Sequence, residues 1–288
     1  MRRVGRRIGT VAVLSSLITV LLTGLAPALA QAASPVGPWN PIGSDRARAL
    51  DESQGLASIV RPNQTIFRYT GVGTIPASIS VRGWNHVGDP GTALGWYVEP
   101  YQRDDRGAKL FRVESPTGVW SEYQHALESW EANNNSFSAV SPDGQWMVAG
   151  EWGTNNRLLV HPMPGVAFTN PAQNLPLASV IRLDHNVRDI QGCDFTSATR
   201  LLCASDDPDG TLFGIKKPLL QVDLAGPLSN SDVSAHVTAL GALPQESGCS
   251  GSFEVEGIDY DERDGTLRVI VMSPGICVLF DSKTWRLK

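Results

Sequence analysis

From Ile8 to about Leu25 the chain is uncharged and largely apolar. Beyond it, apolar residues come in short segments, such as Gln145-Trp146-Met147-Val148-Ala149, Leu158-Leu159-Val160-His161, Leu219-Leu220-Gln221-Val222-Asp223-Leu224 and Thr266-Leu267-Arg268-Val269-Ile270-Val271. Short apolar and alternating segments bounded by Gly, Pro, Asn and Asp predict strands joined by tight turns. Helical periodicity is scarce. The best candidate is Tyr123–Ala132, stopped by Asn133-Asn134-Asn135.

One short pattern recurs: a polar residue, a small residue, an apolar stretch, then an Asp/Gly turn. Its copies are Ser53-Gln54-Gly55-Leu56-Ala57, Asn85-His86-Val87-Gly88-Asp89, Phe137-Ser138-Ala139-Val140 leading into Ser141-Pro142-Asp143-Gly144, Ile190-Gln191-Gly192-Cys193-Asp194, and Val255-Glu256-Gly257-Ile258-Asp259. In β-propellers a small residue sits where inner strands crowd the axis, and a turn leads into the second strand of each blade. The spacing of the copies is irregular, which blade insertions explain and which another β architecture would also explain. At ~40 to 50 residues per blade, the length after the apolar leader fits five. The expectation is therefore an all-β chain, a five-bladed β-propeller over residues 33–288.

Two blades carry more specific motifs, Ser141-Pro142-Asp143-Gly144 and Glu256-Gly257-Ile258-Asp259-Tyr260-Asp261 with Asp264-Gly265-Thr266-Leu267. They resemble the inner hairpins of the YVTN/NHL and SMP-30/strictosidine-synthase-like propellers. The resemblance implies fold more than activity, because that group holds lactone hydrolases, synthases, lyases and pure binding modules.

The leader adds an address. Arg2, Arg3, Arg6 and Arg7 precede the apolar run, and Ala28-Leu29-Ala30 and Ala30-Gln31-Ala32 follow it. A basic start, an apolar centre and small residues at −3 and −1 predict a cleaved signal peptide over residues 1–32, a secreted protein and no stable membrane span after cleavage. Cleavage removes four arginines and no acids, leaving 20 Lys+Arg against 29 Asp+Glu, a net charge of −9. Acidic surfaces are poor partners for phosphate backbones, so nucleic acid is not expected. The composition, with 28 Gly, 19 Pro and 18% charged residues, suits many short strands, and the reading is of a monomer.

Export also licenses disulfides. Cys193 and Cys203 are symmetric about Ala198 in a turn between two strand-like segments, and Cys249 and Cys277 are symmetric about Arg263. Opposed residues in antiparallel strands lie close enough to bridge, so the pairs Cys193–Cys203 and Cys249–Cys277 are expected.

Chemistry is less legible. HExxH, GxSxG, P-loop, GxGxxG and CxxCH signatures are all missing. If the copies superpose, the side chains just before each small residue, Gln54, His86, Ser138, Gln191 and Glu256, project into one axial funnel. Asp89, Asp194 and Asp259 lie a few residues further along. Oxygen donors of this kind suit Ca²⁺, and His86 near Asp89 suits a general base, with Glu256 as a second carboxylate. The alternative is that these groups satisfy strand ends. Six of eight tryptophans fall between Trp84 and Trp152, either wedged between blades or exposed as a sugar-stacking platform. Two functional expectations remain. One is an axial binding site for a small molecule, glycan or extracellular protein. The other is a hydrolase or lyase using His86, Asp89 and Glu256, with Ca²⁺ as its possible cofactor.

Overall fold

The computed structural model describes residues 37–103, 105, 107–133 and 136–288; the export signal expected over 1–32 lies outside them. β1 (Pro41–Arg46) precedes the hairpin β2 (Gly55–Arg61) and β3 (Gln64–Thr70). After one helical turn, α1 (Ala77–Ser80), come β4 (Trp84–Val87), β5 (Gly91–Ala93), β6 (Trp96–Arg103), β7 (Ala108–Glu114) and β8 (Trp120–Ala126). The next run is β9 (Ser138–Val140), β10 (Trp146–Ala149), β11 (Thr154–Pro162) and β12 (Ser179–Arg188). A further run is β13 (Ile190–Ser197), β14 (Arg200–Ser205), β15 (Pro218–Leu224) and β16 (Val233–Ala242). β17 (Glu254–Asp261), β18 (Thr266–Met272) and β19 (Lys283–Leu287) complete the order.

Consecutive strands form antiparallel meanders, because tight turns return the chain beside itself. β1 pairs along β19 from Pro41↔Leu287 to Arg46↔Lys283, so the N-terminal strand is the outer edge of the β17–β18–β19 sheet. β12 and β16, the outer strands of adjacent meanders, pair in parallel and join them into one eight-stranded, nearly closed sheet. The first strands converge: β2 packs on β5, β5 on β9, β9 on β13, β13 on β17, and β17 on β2. Sheets radiating from a closed ring of inner strands make a β-propeller, as the repeats predicted.

The hydrophobic cores lie between neighbouring sheets. Phe137, Val148, Val160 and Ile181 from one meander meet Phe195, Leu201, Leu220 and Val222 from the next. Val98, Phe111 and Tyr123 meet Val140, Met147 and Met163 on the other side. The sequence misjudged two details. The helix expected over Tyr123–Ala132 is instead β8 and a loop, and Tyr123 and His125 point inward while Gln124 and Ala126 point out, the period of a strand. The second repeat is out of register. β4 and β5 both pair with β6, and Gly88-Asp89-Pro90 interrupts them, so Gly91 rather than Gly88 occupies the ring position.

Both disulfides are as expected. Cys193 and Cys203 are directly opposed in the β13–β14 ladder. Cys249–Cys277 lies just beyond the β17–β18 hairpin, spanning a Cα separation of 6.0 Å.

Between the β6–β8 and β9–β12 sheets lies a charged cluster that local sequence could not assemble. Lys109 Nζ lies 2.6 Å from Glu131 Oε1 and donates to Gly150 O at 2.8 Å. His125 bridges Glu131 Oε2 and Leu175 O, each at 2.8 Å, and its ring stands 4.7 Å from that of His161. His161 hydrogen-bonds Pro176 O at 3.0 Å through Nδ1, while its buried Nε2 has no partner. Burial, with the charges of His125 and Lys109, holds His161 down to about 3. Burial raises Glu131, but the His125 hydrogen bond and the Lys109 charge outweigh it and hold the group at about 2.

Two predictions follow from this packing. A Cβ on Gly257 would come 2.5 Å from Gly55 Cα and into the Asp89 carboxyl, whereas one on Gly226 meets nothing within 4 Å. Gly257→Ala should therefore cost at least about 2 kcal/mol in urea denaturation and Gly226→Ala under about 1; equal costs would refute the crowded axis. The second concerns acid. His161 has a folded pKa depressed to about 3 from 6.5, so its contribution is full above 6.5 and drains away as pH falls towards 3. His161→Gln should remove about 3 kcal/mol of the stability loss between pH 6.5 and 4. Parallel stability–pH curves for variant and wild type would contradict this.

Candidate functional site

Inner strands of a propeller diverge and do not form backbone ladders with each other, so their N–H groups need other acceptors. Carboxylates supply them. Asp89 Oδ1 accepts from Leu56 N at 3.0 Å on β2, and Oδ2 accepts from Ile258 N at 3.1 Å on β17. Its backbone N–H donates to Ser136 O at 2.6 Å and its carbonyl accepts from Ser138 N at 2.9 Å. Asp194 on β13 accepts from Tyr260 N on β17, and Asp259 on β17 accepts from Ser58 N on β2, both at 2.8 Å. Each therefore caps the neighbouring inner strand at the position three residues past its axial glycine.

The Asp89 side chain closes the axis, packed against Gly55, Gly192 and Gly257. An open pocket lies beyond this plug, at the C-terminal ends of the inner strands, with a cavity volume of about 120 Å³. Every inner strand or the turn after it contributes: Ser58 and Val60, Thr92 to Gly95, Val140 and Pro142, Asp194 and Phe195, and Tyr260 to Glu262. The wall is apolar at Val60, Leu94, Pro142 and Phe195 and acidic at Asp194, Asp261 and Glu262.

Burial, then the charge of Asp259, push Asp194 well above the usual carboxylate range. Asp259 is also raised by burial, although Ser58 Oγ at 2.7 Å and Arg268 at 2.9 Å oppose the shift. Asp261 is held at about 2, chiefly by hydrogen bonds from Arg263. Burial thus lifts Asp194 and Asp259, the latter despite its arginine, while the Arg263 hydrogen bonds hold Asp261 down.

The structure separates the residues that the sequence placed in one funnel. Asp194 lines the pocket. Gln54, Gln191 and Glu256 each precede an axial glycine and are not among the residues that line this pocket. Gln54 Nε2 donates to Ser53 O at 2.9 Å. Glu256 is buried and lifted well above its usual range, by burial and then by Glu254 and Asp206. Ser138 is fully buried and structural, donating to Val98 O and accepting from Gly91 N, both at 3.1 Å.

His86 sits on β4, which pairs with β6, and burial lowers its pKa. The expected His86–Asp89 partnership is absent, because both Asp89 oxygens face backbone N–H groups of other strands. No set of three or more His, Cys, Asp or Glu among the described residues is arranged to hold a metal ion.

The tryptophans divide. Trp84 is buried, Trp96 and Trp146 pack against the cores, and Trp120 lies under Arg112 at 3.7 Å. Trp130 and Trp152 are exposed, at 46% and 53%.

No protein family matches this sequence, and no curated protein does. Solved structures resemble the fold remotely. A chain of Kluyveromyces lactis Hsv2 is 10% identical with a TM-score of 0.33, over 69% of this chain and 59% of its own. This chain thus spans less than two thirds of that protein. A protein from Lactobacillus plantarum is 10% identical with a TM-score of 0.38, over 82% of this chain and 70% of its own. The β-propeller domain of the Trilobed protease from Pyrococcus furiosus is 8% identical with a TM-score of 0.27, over 66% of this chain and 78% of its own. Likenesses this distant carry no functional argument, and the propeller assignment rests on the strand ring itself.

Carboxyl ¹³C titration checks the electrostatics. Asp194 should titrate well above the ordinary 3.8 and Asp261 near 2. A midpoint for Asp194 at or below that of Asp261 would overturn the description of the pocket.

Proposed function

We propose that this chain is a secreted, five-bladed β-propeller, with the β2–β3 hairpin as a reduced blade, that binds a small molecule, glycan or extracellular protein segment in its axial pocket. One observation carries the reading: all the inner strands place residues around a single open cavity. Convergence of polar groups at an apolar concavity is where ligand sites are usually found. Secretion is supported by the leader and by two disulfides.

The hydrolase reading loses its main support. A general base needs a pKa near working pH and reach to a substrate proton. His86 is lowered by burial, and Asp89 is engaged by two backbone N–H groups. Binding without chemistry is the reading that the geometry favours.

Thr92 lines the pocket, half-buried, with its Oγ1 donating to Ser58 O at 3.2 Å. Screening by thermal shift against metabolite, glycan and peptide panels should give ligands whose effect disappears in Thr92→Phe. Ligands that shift Thr92→Phe as much as wild type would place binding elsewhere. Turnover of a glycoside or lactone by the wild type would revive the enzyme.

A further inference from the structure

The charges at the pocket are unevenly matched. Arg268 is committed to Asp259 at 2.9 Å and reaches Asp261 at 3.4 Å, while Arg263 holds Asp261 through Nε at 2.8 Å and through Nη2. Among the described residues, Asp194 and Glu262 have no cationic partner. The Asp194 carboxyl receives only the backbone N–H groups of Phe195 and Tyr260, both at 2.8 Å, which leaves acceptor sites free. Glu262 is exposed at the rim.

A second observation points the same way. Leu94 lines the pocket at 69% exposure and is held at φ 52°, and Val60 beside it is 43% exposed. Leu94-Gly95 is the two-residue turn between β5 and β6, with both φ values positive, a place where Asn-Gly is the favoured pair. A leucine there is strained and wets an apolar side chain, and neither effect helps the fold. Its gain is an apolar lip over an acidic wall.

We propose that the pocket selects an organic cation, an ammonium or guanidinium head carried on an apolar stem, with the head against Asp194 and Glu262 and the stem on Leu94, Val60 and Phe195. This rests on the axial pocket being the binding site. Burial first, and then the neighbouring acids Asp259 and Glu262, raise the Asp194 pKa; an incoming cation would relieve the repulsion among these acids. An anionic ligand would meet these same carboxylates without compensation.

The test is calorimetric titration of the full mature chain with three probes on one skeleton: 3-phenylpropylammonium, 3-phenylpropanol and 3-phenylpropionate. The ammonium should bind at least about tenfold more tightly than the alcohol, and the carboxylate should not bind at millimolar concentration. Glu262→Gln, an exposed change that leaves folding intact, should weaken the ammonium by about threefold or more, and Leu94→Asn should weaken the alcohol and the ammonium together. An Nα-acetyl-lysine-amide arm separates sources. Affinity matching the free amine indicates a lysine side chain of a peptide, and affinity far below it indicates a free amine.

Equal or tighter binding of the alcohol or carboxylate, lost in Thr92→Phe, would overturn the cation assignment and leave the pocket standing. Ammonium binding that persists in Thr92→Phe would overturn the pocket itself. No ammonium binding by the wild type would overturn the inference outright.

Discussion

The carboxyl group of Asp89 is the constraint on which the rest of the molecule is built. Five inner strands meet at the axis, and this one residue touches all of their sheets. It interrupts β4 and β5, exchanges backbone hydrogen bonds with Ser136 and Ser138, bonds Leu56 on β2 and Ile258 on β17, and packs on Gly192 of β13. Burial and the charges of Asp194 and Asp259 raise its pKa, against the two N–H donors that favour its ionised form. A buried acid costs free energy, but so do orphaned backbone donors at the meeting point of strands that cannot ladder. The carboxyl offsets the second cost while filling a space that otherwise admits only glycine.

From this plug the site takes its shape. The axis is closed at the level of the glycines, so the concavity that remains lies on the side of the strand C-terminal ends. There Asp194 and Asp259 repeat the device of Asp89 one layer further along, each holding a donor on the neighbouring inner strand. Only Asp259 is also given an arginine. The pocket's chemistry is thus a by-product of how the inner strands are tied, with one tie left electrostatically unbalanced.

How much of this was readable in advance follows the range of the interactions. Gly55, Gly192 and Gly257 announced the crowded axis because a missing Cβ is visible in any short motif. The disulfides were readable because Cys193 and Cys203 are placed symmetrically about a local turn. The second repeat misled because Gly88 imitates the motif while Gly91 fills the position, and only the pairing with β6 distinguishes them. Gln191, Glu256 and Gln54 were assigned to the cavity because they precede the axial glycines, whereas its lining comes from residues that follow those glycines. The Lys109–Glu131–His125–His161 cluster joins two sheets, and nothing in the spacing of four such residues signals a buried network.

The most direct measurement is the equilibrium stability of Asp89→Asn, which keeps the shape of the side chain but replaces one acceptor with a donor. If the carboxyl is the tie at the axis, the amide turns N–H against N–H at either Leu56 or Ile258. Urea denaturation should then show a loss of at least about 2 kcal/mol. A variant within about 0.5 kcal/mol of wild type would show that the ring closes without this tie, and would contradict the account.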